Sequence, residues 1–451
     1  MEKTKKKIVK SALILGIGAF TSKFLGAVYR IPLTRVLTPV GLGLYQLVFP
    51  VYTLLLDFSG AGIPSALSKL ISSDDEKTRS VKILSVSLKC LFVLGIVGFL
   101  VMAIFGNLIS KGQGNADATI SYLFLSPSVL LVSLISCFRG YFQGYMNMQP
   151  TAISQIIEQA VKLFTGLLFA YIFLPNLKLS VAGATLGITF SEIIALGYLF
   201  LTYKKSRKGL PLFIKTEKTE FKVIAKKILF TTLPITLIGI ILPFSHVIDS
   251  FITVNVIGRY RVDATELYGI LFGIVLTVIH LPVSVCYGIS SVAIPAVSGA
   301  KTKKQSDKNA VKTLVLTFIV SAVATIGIFL TAKFIIKILF NSLTDTETSL
   351  AVSLLKLSSP IIFFLSILQT TNGILIGKGK PYYAIYSMVF GLIVKTVVGV
   401  YLMKNPIFNI YGSAIGLIAC YFSACLVNLL LLTTVKVKNE NKGYRLSRSK
   451  N

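Results

Sequence analysis

Lysine, arginine and carboxylate side chains recur in stretches of this sequence that are otherwise apolar. The basic ones are Lys23, Arg30, Lys89, Lys162, Lys356 and Lys395, and against them stand Asp57, Glu158, Glu192 and Asp249. In hydrocarbon such a charge costs about 3 kcal/mol or several times that, so it persists where it pairs, reaches water or meets a ligand. Lys23 and Arg30 are seven residues apart, which puts them on one helix face, and no acid stands three or four residues from Lys23. Two cations on one face suit a phosphate-bearing ligand, which arginine holds through paired hydrogen bonds and lysine as a point charge. Glu158 and Lys162, four apart with the acid nearer the N-terminus, are spaced for an intrahelical pair. His246 and Asp249, three apart, fit a proton or cation site, or equally a hydrogen-bonded pair. Asp57 and Glu192 are further candidates for ion coupling or charge pairing. Lys89 and Lys356 lie close enough to helix ends to snorkel towards water, and His280 beside Pro282 reads as a core histidine. With two histidines in the chain, no Gly-rich loop leading into Lys and Ser or Thr, and no metal-ligand spacing, no catalytic residues, metal site or cofactor are expected.

The elements that must carry these groups are membrane spans. Of 451 residues 54% are hydrophobic and 14% charged, and the mean hydropathy is +0.79. Apolar runs long enough to cross roughly 30 Å of hydrocarbon recur from Ser11 almost to the C-terminus, leaving no stretch for a sizeable aqueous domain. The first run carries Lys23 and Arg30 and leads straight into a second span, so it reads as a signal anchor rather than a cleaved leader. Twelve helices are expected, over about 11–33, 42–68, 83–106, 118–142, 151–174, 180–203, 228–254, 265–298, 312–335, 350–375, 383–403 and 411–435. With the N-terminus inside, inner segments hold 32 of the 46 Lys and Arg residues, outer loops 8 and spans 6. A miscounted helix would invert every later loop and spread the charge evenly, so the bias supports twelve spans with both termini cytoplasmic in a bacterial inner membrane. The net charge of +29 then reports topology and attraction to anionic membrane lipids, without nucleic acid. Cys90, Cys137, Cys286, Cys420 and Cys425 all fall in apolar segments and read as free, buried thiols.

The two halves echo one another. Phe49-Pro50-Val51, Ile63-Pro64 and Lys69 are matched by Leu281-Pro282-Val283, Ile294-Pro295 and Lys301. Gly140 and Gly144, with Lys162 eighteen residues on, are matched by Gly373 and Gly377, with Lys395 eighteen residues on. Gly183 and Gly187 are matched by Gly412 and Gly416. An even number of spans per half makes the repeats parallel, related by an axis along the membrane normal. The expected organisation is an all-α polytopic protein of two parallel six-helix repeats: an N-lobe at 1–203, a basic linker at 204–227, a C-lobe at 228–435 and a basic tail at 436–451. Such lobes bind substrate between them near the midplane. Pro50, Pro64, Pro234, Pro243, Pro282 and Pro295 are bending points or packing kinks.

Residues 138–162, FRGYFQGYMNMQPTAISQIIEQAVK, residues 41–70, GLGLYQLVFPVYTLLLDFSGAGIPSALSKL, and the helix-one string GAVYRIPLTRVL at 26–37 closely resemble the stage V sporulation protein B branch of the polysaccharide transporter family. That family shares the MOP flippase superfamily with the MurJ lipid II flippases, the Wzx flippases and the MATE exporters. The resemblance implies a V-shaped alternating-access carrier, working as a monomer. Its basic central cavity would admit an anionic, lipid-linked glycan such as an undecaprenyl-pyrophosphate precursor, with H+ or Na+ as a possible coupling cation. It marks Arg30, Arg139, Gln143, Glu158 and Lys162 at matching positions, and Lys23 and Lys395 join the substrate candidates from the residue pattern. MurJ-type members commonly carry fourteen spans, two more than are read here. Alternatives left open are a cation-coupled multidrug exporter of the MATE type, for which acids would be expected in the first helix, and a non-transporting scaffold for wall synthesis. In a cysteine-free background, Lys111→Cys should label from outside and Lys303→Cys from inside; the reverse would overturn the topology.

Overall fold

The computed structural model describes residues 2–72, 77–206, 217–300 and 302–434, and these are helical apart from short connecting turns, with no strand among them. Hydrocarbon offers no partner to a backbone amide, so a helix, which satisfies its own, is the form these apolar runs take. In chain order the helices are α1 (Glu2–Leu56), α2 (Ile63–Ser72), α3 (Lys77–Gly112), α4 (Thr119–Gly144), α5 (Gln149–Ile172), α6 (Leu177–Ser206), α7 (Lys218–Ile257), α8 (Ala264–Tyr268), α9 (Leu276–Ser298), α10 (Lys303–Leu339), α11 (Asp345–Ser358), α12 (Pro360–Gly377), α13 (Pro381–Met403) and α14 (Asn409–Thr434). Wider π-helical turns join α1 to α2 at Asp57–Ala61 and α8 to α9 at Gly269–Val275.

Eleven stretches among the described residues are long and apolar enough to cross a membrane, and the first runs for 49 residues from Phe24 to Ser72. At 1.5 Å per residue that is about twice one crossing. It is broken at Thr38, whose φ of 59° and ψ of 170° leave the helical region. Pro39 follows, and a proline disfavours helical geometry in the residue before it. The expected count of twelve treats the two sides of Thr38 as separate spans. The expected tenth span, 350–375, is instead two helices, because Pro360 starts α12 and α11 ends at Ser358. The linker residues 207–216 and the tail at 436–451 lie outside the described residues.

The chain forms two compact units, Met1–Ile274 with Lys337–Thr348, and Val275–Ile336 with Ser349–Asn451. In the first, Leu67, Ile71, Phe138, Tyr203 and Ile228 belong to one buried cluster, in which the Tyr141 and Tyr203 rings meet edge to face at 5.1 Å. In the second, α9, α10 and α12 pack on Ala293, Val297, Ala310 and Ile374, and a hydroxyl chain crosses them from Ser290 to Thr370 at 2.8 Å and on to Thr317 at 3.0 Å. Outward-facing side chains are large and apolar, as lipid contact requires: Phe164 is 71% and Leu330 72% exposed.

The matched glycines make matched contacts. A Cβ on Gly140 would lie 2.8 Å from the Leu67 side chain and 3.0 Å from the Pro64 backbone, so α4 rides on α2; one on Gly373 would lie 2.9 Å from the Ser290 carbonyl, so α12 rides on α9. A Cβ on Gly187 would strike the Gly166 backbone, so α6 presses onto α5, and one on Gly416 would lie 3.0 Å from the Gly399 Cα and the Lys395 carbonyl, so α14 presses onto α13. The repeat is therefore one of packing as well as of residues. A side chain at Gly187 must push two backbones apart, which at about 1–3 kcal/mol is a substantial loss. A Cβ on Gly197, on the same helix, would meet nothing within 4 Å. Gly187→Leu should lower the unfolding midpoint in detergent or prevent accumulation, whereas Gly197→Leu should leave the midpoint unchanged; equal effects would refute this packing.

Candidate functional site

In the first unit, α1, α4, α5 and α6 bring charged groups together beneath apolar packing. Along α1 the rings of Tyr45 and Phe49 stack at 5.6 Å, and Phe49 meets Tyr52 at 5.8 Å, so one edge of the helix is an aromatic ladder. Arg30 is half-buried on the same helix, with Tyr29 and Tyr45 as its polar neighbours. From α6, Glu192 is 1% exposed, and its Oε1 accepts a hydrogen bond from the Tyr52 hydroxyl. A buried carboxylate needs such a donor, because an unsatisfied one would forfeit its solvation.

Glu158 and Lys162 do reach this cluster from α5, but not as each other's closest partner. Arg139 of α4 takes Glu158 through Nη2 at 2.9 Å and donates from Nε to Ser154 Oγ at 3.0 Å. Gln159 donates to the other Glu158 oxygen at 3.2 Å. The Lys162 ammonium lies over the Tyr29 ring, 5.5 Å from its centroid, with Glu158, Arg30 and Glu192 as its charged neighbours. An arginine that can bond two groups at once outcompetes a lysine one turn away for the same carboxylate. Of the assembled groups, Arg30, Lys162 and Arg139 are cationic and Glu158 and Glu192 acidic. With the Arg139–Glu158 pair closed, Glu192 is a charged neighbour of Lys162 and Arg30 adds a further cation beside Lys162, so the assembled groups hold three cations and two acids, an excess suited to an anion.

Other expected residues lie elsewhere. Gln143 is half-buried near the end of α4, and Asp57 sits in the π-helical turn. His246 and Asp249 approach each other on α7, with Nδ1 and Oδ2 3.7 Å apart. Lys395 is 4% exposed in α13 of the second unit. Lys23 lies in α1, and its side chain is outside the described residues.

One feature of the first unit is missing from the residue patterns. Gln113, between α3 and α4 at the end poor in Lys and Arg, is 0% exposed. Its Nε2 donates to the Leu47 carbonyl at 2.9 Å and Ser250 Oγ at 2.8 Å, while its Oε1 accepts from the Tyr122 hydroxyl at 2.8 Å. Asn115 donates to Thr265 Oγ1 at 2.9 Å and Asn255 to the Gly112 carbonyl at 2.7 Å. These bonds tie α1, α3, α4, α7 and α8 together at one end. In the sequence Gln113 and Asn115 stand in Gly-Gln-Gly-Asn, which reads as an ordinary loop. Tyr52 left a weak trace, since it lies seven residues after Tyr45 and so on the same face.

The polysaccharide biosynthesis protein family matches residues 8–298, and the MatE family matches 234–401. The chain is 27% identical to stage V sporulation protein B of Bacillus subtilis (strain 168), over 98% of its own length and 87% of that protein's. It is 26% identical to the lipid II flippase MurJ of the same organism, over 88% and 78%. Among solved structures, an inward-facing MATE-family multidrug resistance transporter of the MOP superfamily superposes with a TM-score of 0.77 at 15% identity, covering 94% of this chain and 97% of that one. MurJ in an inward closed conformation gives 0.72 at 16% identity, covering 94% and 88%. A family match over most of the chain, on an all-helical multi-pass fold shared with these transporters, places the protein in the polysaccharide biosynthesis protein family, as a membrane transporter of the MOP superfamily.

Proposed function

We propose that this transporter is an alternating-access flippase that carries an undecaprenyl-pyrophosphate-linked precursor, lipid II or a close relative, from the inner to the outer leaflet of a bacterial cell membrane, with both of its own termini in the cytoplasm. The observation that carries this reading is the cluster with a cationic excess on α1, α4, α5 and α6: Arg30 and Lys162 would take the pyrophosphate, while the buried Tyr45 and Tyr52 pack behind them. Lys23 and Lys395 are the further cations we assign to the substrate path, with Arg139 holding Glu158 in place and Gln143 nearer the basic loops. The likeness to the lipid II flippase MurJ and to stage V sporulation protein B supports an anionic lipid-linked cargo. We assign the two repeats to 1–203 and 228–435, joined by 204–227; the matched glycine contacts support the duplication of the α2–α6 and α9–α14 packing, while α7 and α8 pack with the first unit. Coupling by H+ or Na+ would fall to Asp57, Glu192 or the His246–Asp249 pair.

The MatE match favours a second reading, export of organic cations. That reading requires acids to dominate the cluster, and here cations outnumber them. With the interior negative, each negative charge moved outward gains about 2.3 kcal/mol per 100 mV.

In cells that depend on this protein alone, exposure of lipid II at the outer leaflet should fall at least tenfold in Arg30→Ala at normal expression, since a hydrogen bond to a charged group contributes about 1.5–3 kcal/mol. Collapsing the membrane potential should slow it too. Full growth of Arg30→Ala, or extrusion of cationic dyes in place of lipid II exposure, would defeat the proposal. The Gln113 lock would hold the outer end closed while the cluster faces inward. Gln113→Ala should therefore raise outside labelling of Arg30→Cys in a cysteine-free background; unchanged labelling would remove Gln113 from the gate.

A further inference from the structure

On the outer surface of the first unit, α3, α4 and α6 leave a groove of about 590 Å³, within the roughly 300–1,000 Å³ of small-molecule sites. Leu88 and Phe138 form its floor, 5% and 3% exposed, while Phe92 and Phe200 stand at its rim, 46% and 40% exposed. It exists because Gly197 in the middle of α6 has nothing within 4 Å of where a Cβ would be. A groove this apolar on a membrane-facing surface is filled by hydrocarbon, and the head of whatever fills it is set by its one charged lining residue, Lys89.

Lys89 is exposed, and among the described residues no carboxylate makes an ion pair with it. It lies seven residues beyond Lys82, whose ammonium pairs with Glu220 at 3.0 Å where the basic loops begin. Seven residues are about 10 Å along the helix, a depth from which a lysine reaches the phosphate level of the nearer leaflet by snorkelling. An ammonium facing lipid is costly unless an anion meets it, and here the anion has to come from the membrane.

We infer that this groove is a binding site for an anionic phospholipid, with one acyl chain lying over Gly197 between Phe92 and Phe200 and its phosphate against Lys89. The site is separate from the Arg30 and Lys162 cluster and stands whether or not the transported cargo is a lipid. A lysine near a membrane surface favours anionic over neutral lipid by about fivefold.

The chain contains no tryptophan, so Phe200→Trp gives a single emitter at the rim. The full chain is reconstituted in phosphatidylcholine vesicles containing increasing amounts of dibrominated phosphatidylglycerol or dibrominated phosphatidylcholine, whose acyl bromines quench on contact. Half-maximal quenching should need about fivefold less of the phosphatidylglycerol. The preference should vanish in Phe200→Trp with Lys89→Ala and persist with Lys89→Arg. With Gly197→Leu, whose Cβ meets nothing within 4 Å and whose side chain adds bulk to the groove, quenching at Phe200→Trp should fall for both lipids. Phe164→Trp on α5, 71% exposed, should show no headgroup preference in any background and reports that each variant is folded and embedded. Equal quenching by the two lipids at Phe200→Trp, or a preference that survives Lys89→Ala, would overturn the inference. So would displacement of the brominated phosphatidylglycerol by undecaprenyl phosphate at lower concentration than by unbrominated phosphatidylglycerol, which would assign the groove to the polyprenyl chain.

Discussion

Within hydrocarbon no water drives apolar helices together, so the association of α4 with α2 or of α6 with α5 depends on how closely two backbones approach. That approach is set by glycine. Gly140, Gly187, Gly373 and Gly416 each occupy a contact in which a methyl group would overlap the neighbouring helix, and everything else in the two units is arranged around those seams. Because the seams recur at equivalent places in the two halves, each half is assembled on the same internal plan. Hydroxyl groups add a second, directional layer: Thr165 bonds the Gly187 carbonyl at 3.1 Å, and Ser180 bonds the Ala170 carbonyl, both across the α5–α6 seam.

The polar cluster is a consequence of those seams. Pressing α6 onto α5 carries Glu192 inward towards Tyr52, and the turn after α4 brings Arg139 within 2.9 Å of Glu158. The result is a set of buried charges that partly compensate one another yet keep a positive balance, which a stability argument alone would not select. Such an excess of charge inside a membrane protein is costly and marks the cluster as the candidate functional site.

Much of this was legible in the amino-acid order. Hydropathy defined most of the helices, because in a membrane a long apolar run has one stable backbone form, and the paired Gly and Pro spacings disclosed the duplication before any coordinate did. Pairing within the membrane was less legible. Glu158 and Lys162 have ideal helical spacing, yet Arg139, nineteen residues away and on another helix, takes the carboxylate; a distance of four along the chain says what two residues can reach, not what competes for them. Pro360 illustrates a different limit. Its break falls inside the expected span 350–375, where composition is continuous and the interruption is made by one missing amide, whereas the break at Thr38 lies between the expected spans 11–33 and 42–68. Gln113 was invisible for a third reason: an amide between glycines resembles a solvated turn, and its burial depends on α1 and α7 closing over it.

The chemistry of that buried amide bears on the electrical behaviour of the transporter. Gln113, Leu47, Ser250 and Tyr122 are joined by neutral hydrogen bonds, so parting them moves no formal charge through the membrane field. A lock of salt bridges in the same place would have carried gating charge of its own and made its opening voltage-dependent. If that network opens in the proposed cycle, it would add no charge movement of its own, and the sign of any accompanying current would report what the transporter carries.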